Sequence, residues 1–217
     1  MNTIELAIFD CDGVLFDSLE ANRRYYSRIL ERVGRAPLTS DELAIVHMLT
    51  TDQAIRLLFT NDSVRKEQAF REAQELNYAD FIQFMNFEPG VPETLNAFKS
   101  HIRMAILTNR TTTMPKLRDV FGLDRWFDTI VCALDVERPK PDPEGMLRIL
   151  DAFSVPAEKA VYVGDSKVDE EVSVRAGIPF IAYKNPGLRA TFHVERFPDL
   201  QDILLNQGPV IRLEPLR

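Results

Sequence analysis

The chain has 217 residues, 45% of them hydrophobic, enough for one large domain or for a core with a smaller companion. Its 26 Lys and Arg against 33 Asp and Glu give a net charge of −7 with no long basic run, which argues against a nucleic-acid partner. Two cysteines, Cys11 and Cys132, are too few for a disulfide framework, and no stretch approaches the length of a membrane span. The opening Met1-Asn2-Thr3-Ile4-Glu5 lacks the basic and long apolar segments of a signal peptide, so a soluble cytoplasmic protein is expected. If such an acidic chain handles an anionic substrate, it needs local positive charge from a metal or from selected Lys and Arg.

The first predicted element is a buried strand, Leu6-Ala7-Ile8-Phe9. Asp10-Cys11-Asp12-Gly13 follows it directly. Asp10 and Asp12 lie two apart, so an extended backbone points both carboxylates to one side. Gly13 then permits a turn where a side chain has no room. Two neighbouring acids repel each other unless a cation or ligand uses them. An ordinary strand-to-loop junction also favours Asp and Gly. A calcium loop requires further oxygen ligands and a closing Glu between two helices, and the sequence has neither.

From Ser18 to about Phe87 the pattern is helical, with no convincing strand. Leu19, Tyr26, Ile29, Leu30 and Val33 fit one helix face, and Gly34 is a stop. Thr39-Ser40-Asp41-Glu42 opens a second helix and Thr51-Asp52 caps a third. A longer run begins near Ser63, with Phe70, Ala73, Leu76 and Ala79 on one side. Phe81, Phe84 and Met85 read as core or hinge packing. Pro89-Gly90-Val91-Pro92 marks a return to alternation: strand at Arg103–Leu107, helix from about Thr112 to Val120, strand-like Ile130–Ala133, helix at Pro143–Phe153. Strand Ala160–Val163, helix through Arg175 and strand Pro179–Ala182 complete it, and Gln207–Arg217 reads as a tail. Strands alternating with helices predict an α/β fold with a parallel sheet, whose ligands gather beyond the carboxyl ends of the strands.

Three further groups sit at such ends. Thr108-Asn109 follows the strand ending at Leu107, where a hydroxyl and exposed amides suit a phosphate oxygen. Simple helix capping by Thr108 or Thr111 accounts for the same residues. Lys140 is held between prolines in Arg138-Pro139-Lys140-Pro141-Asp142-Pro143, a rigid presentation suited to neutralising phosphate, although a surface loop also uses prolines. Asp165 ends the strand before it as Asp10 does, and Asp169 lies one helical turn further on. Ser166-x-x-Asp169 reads as a capping box, which explains Asp169 without chemistry but not Asp165. A hard cation with oxygen ligands explains Asp165 together with Asp10.

In this order, Asp10-x-Asp12-Gly-Val, Thr108-Asn109, Lys140-Pro141 and Gly164-Asp165-x-x-x-Asp169 resemble the four motifs of the haloacid dehalogenase superfamily, in its phosphatase branch. The similarity covers most of the chain and is closest to phosphoglycolate phosphatase-like members with a helical cap. It implies a Rossmann-like α/β core at 1–16 and 89–217, interrupted by an all-helical cap domain at 17–88. It also implies that Asp10 is the nucleophile, that Asp12 is the general acid and base, and that Thr108, Asn109 and Lys140 contact the phosphoryl group. Mg²⁺ is implied at Asp10, the Asp12 carbonyl and Asp165, supported by Asp169. Arg110 is expected to add a phosphate contact.

The expected substrate is a small phosphorylated metabolite, phosphoglycolate among the candidates. In this family the cap contacts the leaving group, so Arg23, Arg24, His47, Thr51 and Arg56 are candidates for specificity, with solvated helix faces as their plainer reading. His47, His101 and His193 show no metal-ligand spacing. Val14, where many phosphatases have Thr, keeps a phosphosugar mutase open, and a silent regulatory protein on the same fold is the rival from another class. Dehalogenation is disfavoured because it needs neither Asp12 nor Asp165.

Overall fold

The protein is described by a computed structural model over residues 4–47 and 49–205, so the expected tail from Gln207 lies outside the described residues. The strands are β1 (Leu6–Phe9), β2 (Phe16–Asp17), β3 (Asn86–Phe87), β4 (Arg103–Leu107), β5 (Thr129–Val131), β6 (Ala160–Gly164), β7 (Phe180–Tyr183) and β8 (Phe192–Val194). Six of them form one sheet in the order β5-β4-β1-β6-β7-β8, and every pairing is parallel. Near-continuous apolar runs such as Leu-Ala-Ile-Phe are what a parallel strand buried on both faces requires. Ile8, Tyr162 and Phe180 join Met146, Ile149 and Val172 in one cluster. Phe9, on the opposite face, packs against Phe127 and Phe197 at 6.0 and 5.8 Å.

The chain divides into two units, one running to Asp17 and resuming at Asn86, the other Ser18–Met85. Within the first, β1 is central. The chain builds outward through β4 and β5, then returns to β6 on the other side of β1. That reversal leaves a crevice at the carboxyl ends of β1, β4 and β6, the general ligand position of such sheets. Phe9 pairs with both Ile106 and Val163, so the residues just beyond these three strands lie level.

The second unit holds α1 (Leu19–Arg32), α2 (Ser40–Val46), α3 (Thr51–Leu58) and α4 (Ser63–Glu75), with a 3₁₀ segment at Tyr78–Phe84. Tyr25, Tyr26, Ile29 and Leu30 of α1 meet Val46, Ile55, Phe59 and Ala69 in a core of its own. Leu19, expected on that face, is exposed. Capping boxes start α2 at Thr39 and α3 at Thr50, one residue ahead of the expected Thr51. α4 stops at Glu75, short of Ala79, because Asn77 caps the 3₁₀ turn instead. Of the specificity candidates, Arg23 and Arg24 pair with Glu20, Arg56 pairs with Asp52, and His47 Nδ1 contacts Asn22.

The sheet's helices are α5 (Val91–Phe98), α6 (Met114–Phe121), α7 (Glu144–Phe153), α8 (Lys167–Ala176) and the short α9 (Leu200–Leu204). Sequence reasoning marked neither α5, whose first turn contains Pro92, nor the three-residue β8. It also missed the antiparallel β2–β3 pair. There Phe16 stacks on Phe87 at 4.9 Å where the chain leaves the core unit and returns to it.

Candidate active site

Four loops supply the site, and each follows a strand of the parallel sheet. Asp10 begins the loop after β1, its N–H donating to the Val163 carbonyl at 2.9 Å. Lys140, in the loop after β5, reaches in with Nζ and donates to Asp10 Oδ1 and Asp169 Oδ1, both at 2.7 Å, and to the Tyr162 hydroxyl at 2.9 Å. That hydroxyl donates in turn to Asp169 Oδ1 at 2.7 Å. Asp169 Oδ2 accepts from the Ser166 hydroxyl at 2.5 Å and the Ser166 N–H at 3.1 Å, so the capping box and the network share one carboxylate. Its four acceptor positions are therefore used by protein donors.

Close approach dictates two glycines. Gly13 has φ +76°, and a Cβ there would stand 2.1 Å from Asp165 Oδ2. At Gly164 it would stand 2.4 Å from the Asp169 Cβ. Asn185 Nδ2 donates to the Asp165 carbonyl at 2.7 Å and fixes that turn from the far side. Oxygens of Asp10, Asp165 and Asp169 all come within 4.8 Å of one another.

Burial drives the electrostatics of this cluster. It pushes the Asp10 carboxyl up to about 8 against the pull of Lys140, with Asp169 and Asp165 adding to the rise. Asp165 is raised to about 7, by burial first and then by Asp169. For Lys140, burial opposes the charge, but Asp10 and Asp169 outweigh it and the ammonium is held firmly protonated. For Asp169, burial also opposes the charge, and Lys140 with the Ser166 and Tyr162 hydrogen bonds overcomes it. Asp169 is thus the settled partner of Lys140, and Asp10 and Asp165 are the carboxylates left short of positive charge. With all three carboxylates ionised around one ammonium, the cluster would carry 3 − 1 = 2 negative charges, the charge that a divalent cation offsets. An all-oxygen donor set of this kind suits Mg²⁺.

The remaining expected residues divide. Thr108 is buried, and its hydroxyl accepts from the Arg110 N–H at 3.1 Å, a local turn that fixes its direction. Asn109 Nδ2 donates to the Lys140 carbonyl at 2.9 Å, so this side chain braces the lysine loop. The Lys140–Pro141 peptide within that loop is cis. Asp12 projects a half-exposed carboxylate that Arg110 grips through Nε at 2.7 Å and Nη2 at 2.5 Å. Sequence reasoning did not find Tyr162, Asn185 or the Arg110–Asp12 pair. Tyr162 alone left a signal, since a tyrosine inside a fully buried strand needs a partner for its hydroxyl.

Residues 7–183 match the family model described as haloacid dehalogenase-like hydrolase. The chain belongs to that family. The match spans Asp10, Asp12, Thr108, Lys140, Asp165 and Asp169, and stops two residues short of Asn185. A phosphorylated carbohydrates phosphatase of Thermotoga maritima is 31% identical over 81% of this chain and 82% of its own length. A phosphoglycolate phosphatase of Pseudomonas fluorescens is 28% identical over 82% of this chain and 68% of its own. The crystal structure of a haloacid dehalogenase-superfamily hydrolase, subfamily IA, from Geobacter sulfurreducens superposes with a TM-score of 0.85 at 36% identity. It covers 93% of this chain and 96% of its own. As a member of this family the chain is a hydrolase, and its sheet and helices have the family's Rossmann-like architecture.

Proposed function

We propose that this hydrolase is a Mg²⁺-dependent phosphatase that cleaves a small phosphate monoester through a phosphorylated Asp10. The observation that carries the reading is the buried Asp10 carboxylate, fixed by Lys140 and short of positive charge beside Asp165 and Asp169. Asp10 and Asp165, with the Asp12 carbonyl, would hold the ion, and Asp169 would hold Lys140 in place. Bound there, Mg²⁺ supplies charge neutralisation between an anionic nucleophile and an anionic substrate.

The chain's own groups do the rest. Lys140 screens the incoming phosphoryl charge, and Thr108 directs a hydroxyl at one of its oxygens. Asp10 attacks phosphorus in line with the departing alcohol. Asp12 gives its proton to that alcohol and then takes one from the water that hydrolyses the aspartyl-phosphate. The named relatives support a phosphorylated carbohydrate or phosphoglycolate as substrate. A cytoplasmic location suits an acidic chain whose two cysteines are free. No helix among the described residues is long and apolar enough to cross a membrane.

The test is phosphate release from a panel of esters, glycolate and sugar phosphates included, with Mg²⁺ and with chelator. Metal-dependent release that Asp10→Asn abolishes is the expected result. Folded protein that binds Mg²⁺ but releases phosphate from no ester contradicts the reading and favours the mutase or the silent binder.

A further inference from the structure

Arg110 and Asp12 lie 98 residues apart in sequence and meet as a two-pronged pair. The guanidinium side is 9% exposed and the carboxylate side 41%, so a buried fork presents an accessible acid. The fork is anchored on several sides. Nη1 donates to the Thr113 hydroxyl at 3.4 Å, the Arg110 N–H binds Thr108 Oγ1, and the Arg110 carbonyl accepts from the Ala133 N–H at 3.0 Å. A guanidinium gripping both oxygens fixes the plane of a carboxylate, which the rotating ammonium of a lysine does not do.

We propose that Arg110 is a positioning residue that aims Asp12 at the leaving oxygen, and not a ligand of the phosphoryl group. The proposal rests on the phosphatase reading and deepens it. In the first half-reaction an Asp10 oxygen bonds to phosphorus. The bond from phosphorus to the alcohol oxygen breaks with its electron pair, and the Asp12 proton passes to that oxygen. In the second, Asp12 takes a proton from water, the water oxygen bonds to phosphorus, and the Asp10–phosphorus link breaks to restore the carboxylate. Each Asp12 oxygen accepts one N–H of Arg110 and keeps a second lone-pair position, so a proton can be carried there without breaking the fork. Loss of the fork leaves the acid present but badly aimed.

The two roles differ in how they depend on the leaving group. Nitrophenolate departs without a proton, whereas an alkoxide needs one. A phosphate ligand serves both esters equally. The experiment compares kcat/KM, which reports the first half-reaction, for p-nitrophenyl phosphate and ethyl phosphate in wild type, Arg110→Lys, Arg110→Gln and Asp12→Asn. Neither ester carries a second anionic group. The expected result is that both Arg110 variants raise the nitrophenyl-to-ethyl ratio roughly tenfold or more, in the same direction as Asp12→Asn. An equal loss on both esters, as a lost phosphate contact or a partly unfolded variant gives, overturns the proposal, and so does no loss on either. Wild-type protein inactive on every ester, p-nitrophenyl phosphate included, overturns the phosphatase reading itself, a separate outcome.

Discussion

The two units of this chain differ in whether they bury charge: among the described residues, the buried Asp, Glu and Lys side chains all belong to the core unit. In Ser18–Met85 most ion pairs are local and exposed: Arg23 and Arg24 with Glu20, Arg28 with Glu31, Arg56 with Asp52, Arg65 with Asp62. Each joins residues three or four apart on a helix or at its cap, and such pairs contribute little in water. In the core unit Lys140 reaches Asp10 across 130 residues and Asp169 across 29, with side chains at most 12% exposed. Charges taken out of water are costly unless fully matched, and these are short of one divalent cation. The lesson is that charge placed where it lowers stability marks the chemistry, while charge placed where it is harmless marks a solvated surface.

Substitutions can break that contrast, beginning with the largest effect. Asp10→Asn should lower phosphate release on the order of 10⁴-fold or more, the scale for a lost covalent nucleophile, measured as steady-state release with saturating Mg²⁺. Lys140→Met removes the cluster's lysine cation. It should cost about 3–5 kcal/mol in denaturant unfolding of the metal-free protein, because Asp169 is left buried with hydrogen bonds from Tyr162 and Ser166 but no counter-charge from Lys140.

Gly13→Ala forces a left-handed residue to carry a Cβ against Asp165. It should cost about 1–3 kcal/mol and weaken Mg²⁺ binding in calorimetry. In the helical unit, Thr50→Ala removes a capping box and should cost only about 1 kcal/mol, with Mg²⁺ affinity unchanged. Arg56→Ala should leave the unfolding curve where it was.

A pH series sharpens the same contrast. Asp10, raised to about 8, and Asp165, raised to about 7, retain protons in the folded metal-free chain that an unfolded chain releases above about pH 4. Stability of the metal-free protein should therefore decline as pH rises from about 4 to about 8. If Mg²⁺ is held as proposed, it takes the deprotonated carboxylates, so the rise in Tm on adding it should be larger near pH 8 than near pH 6.

Much of the core was legible because its strands announce themselves. Leu6–Phe9, Arg103–Leu107 and Ala160–Gly164 are apolar runs, and Asp10, Thr108 and Asp165 stand directly after them. Parallel pairing then carries position along the sequence into position in space. The capping box at Ser166 was equally readable, since it needs only a four-residue spacing. What escaped has no local signature. Arg110 and Asp12 are joined only through the pairing of β1 with β4, and nothing in Thr-Asn-Arg says which partner the guanidinium will take. β2 and β3 are two residues each, too short for any periodicity, and Pro92 disguised the start of α5.

The proposed attack of the buried Asp10 carboxylate on phosphorus would leave a covalent trace. It is tested most directly by quenching the working enzyme in acid and mapping its peptides by mass. A phosphoryl group is expected on the peptide that contains Asp10, formed with Mg²⁺, lost with chelator and absent from Asp10→Asn. Steady hydrolysis with no such adduct, undiminished in Asp10→Asn, would contradict it.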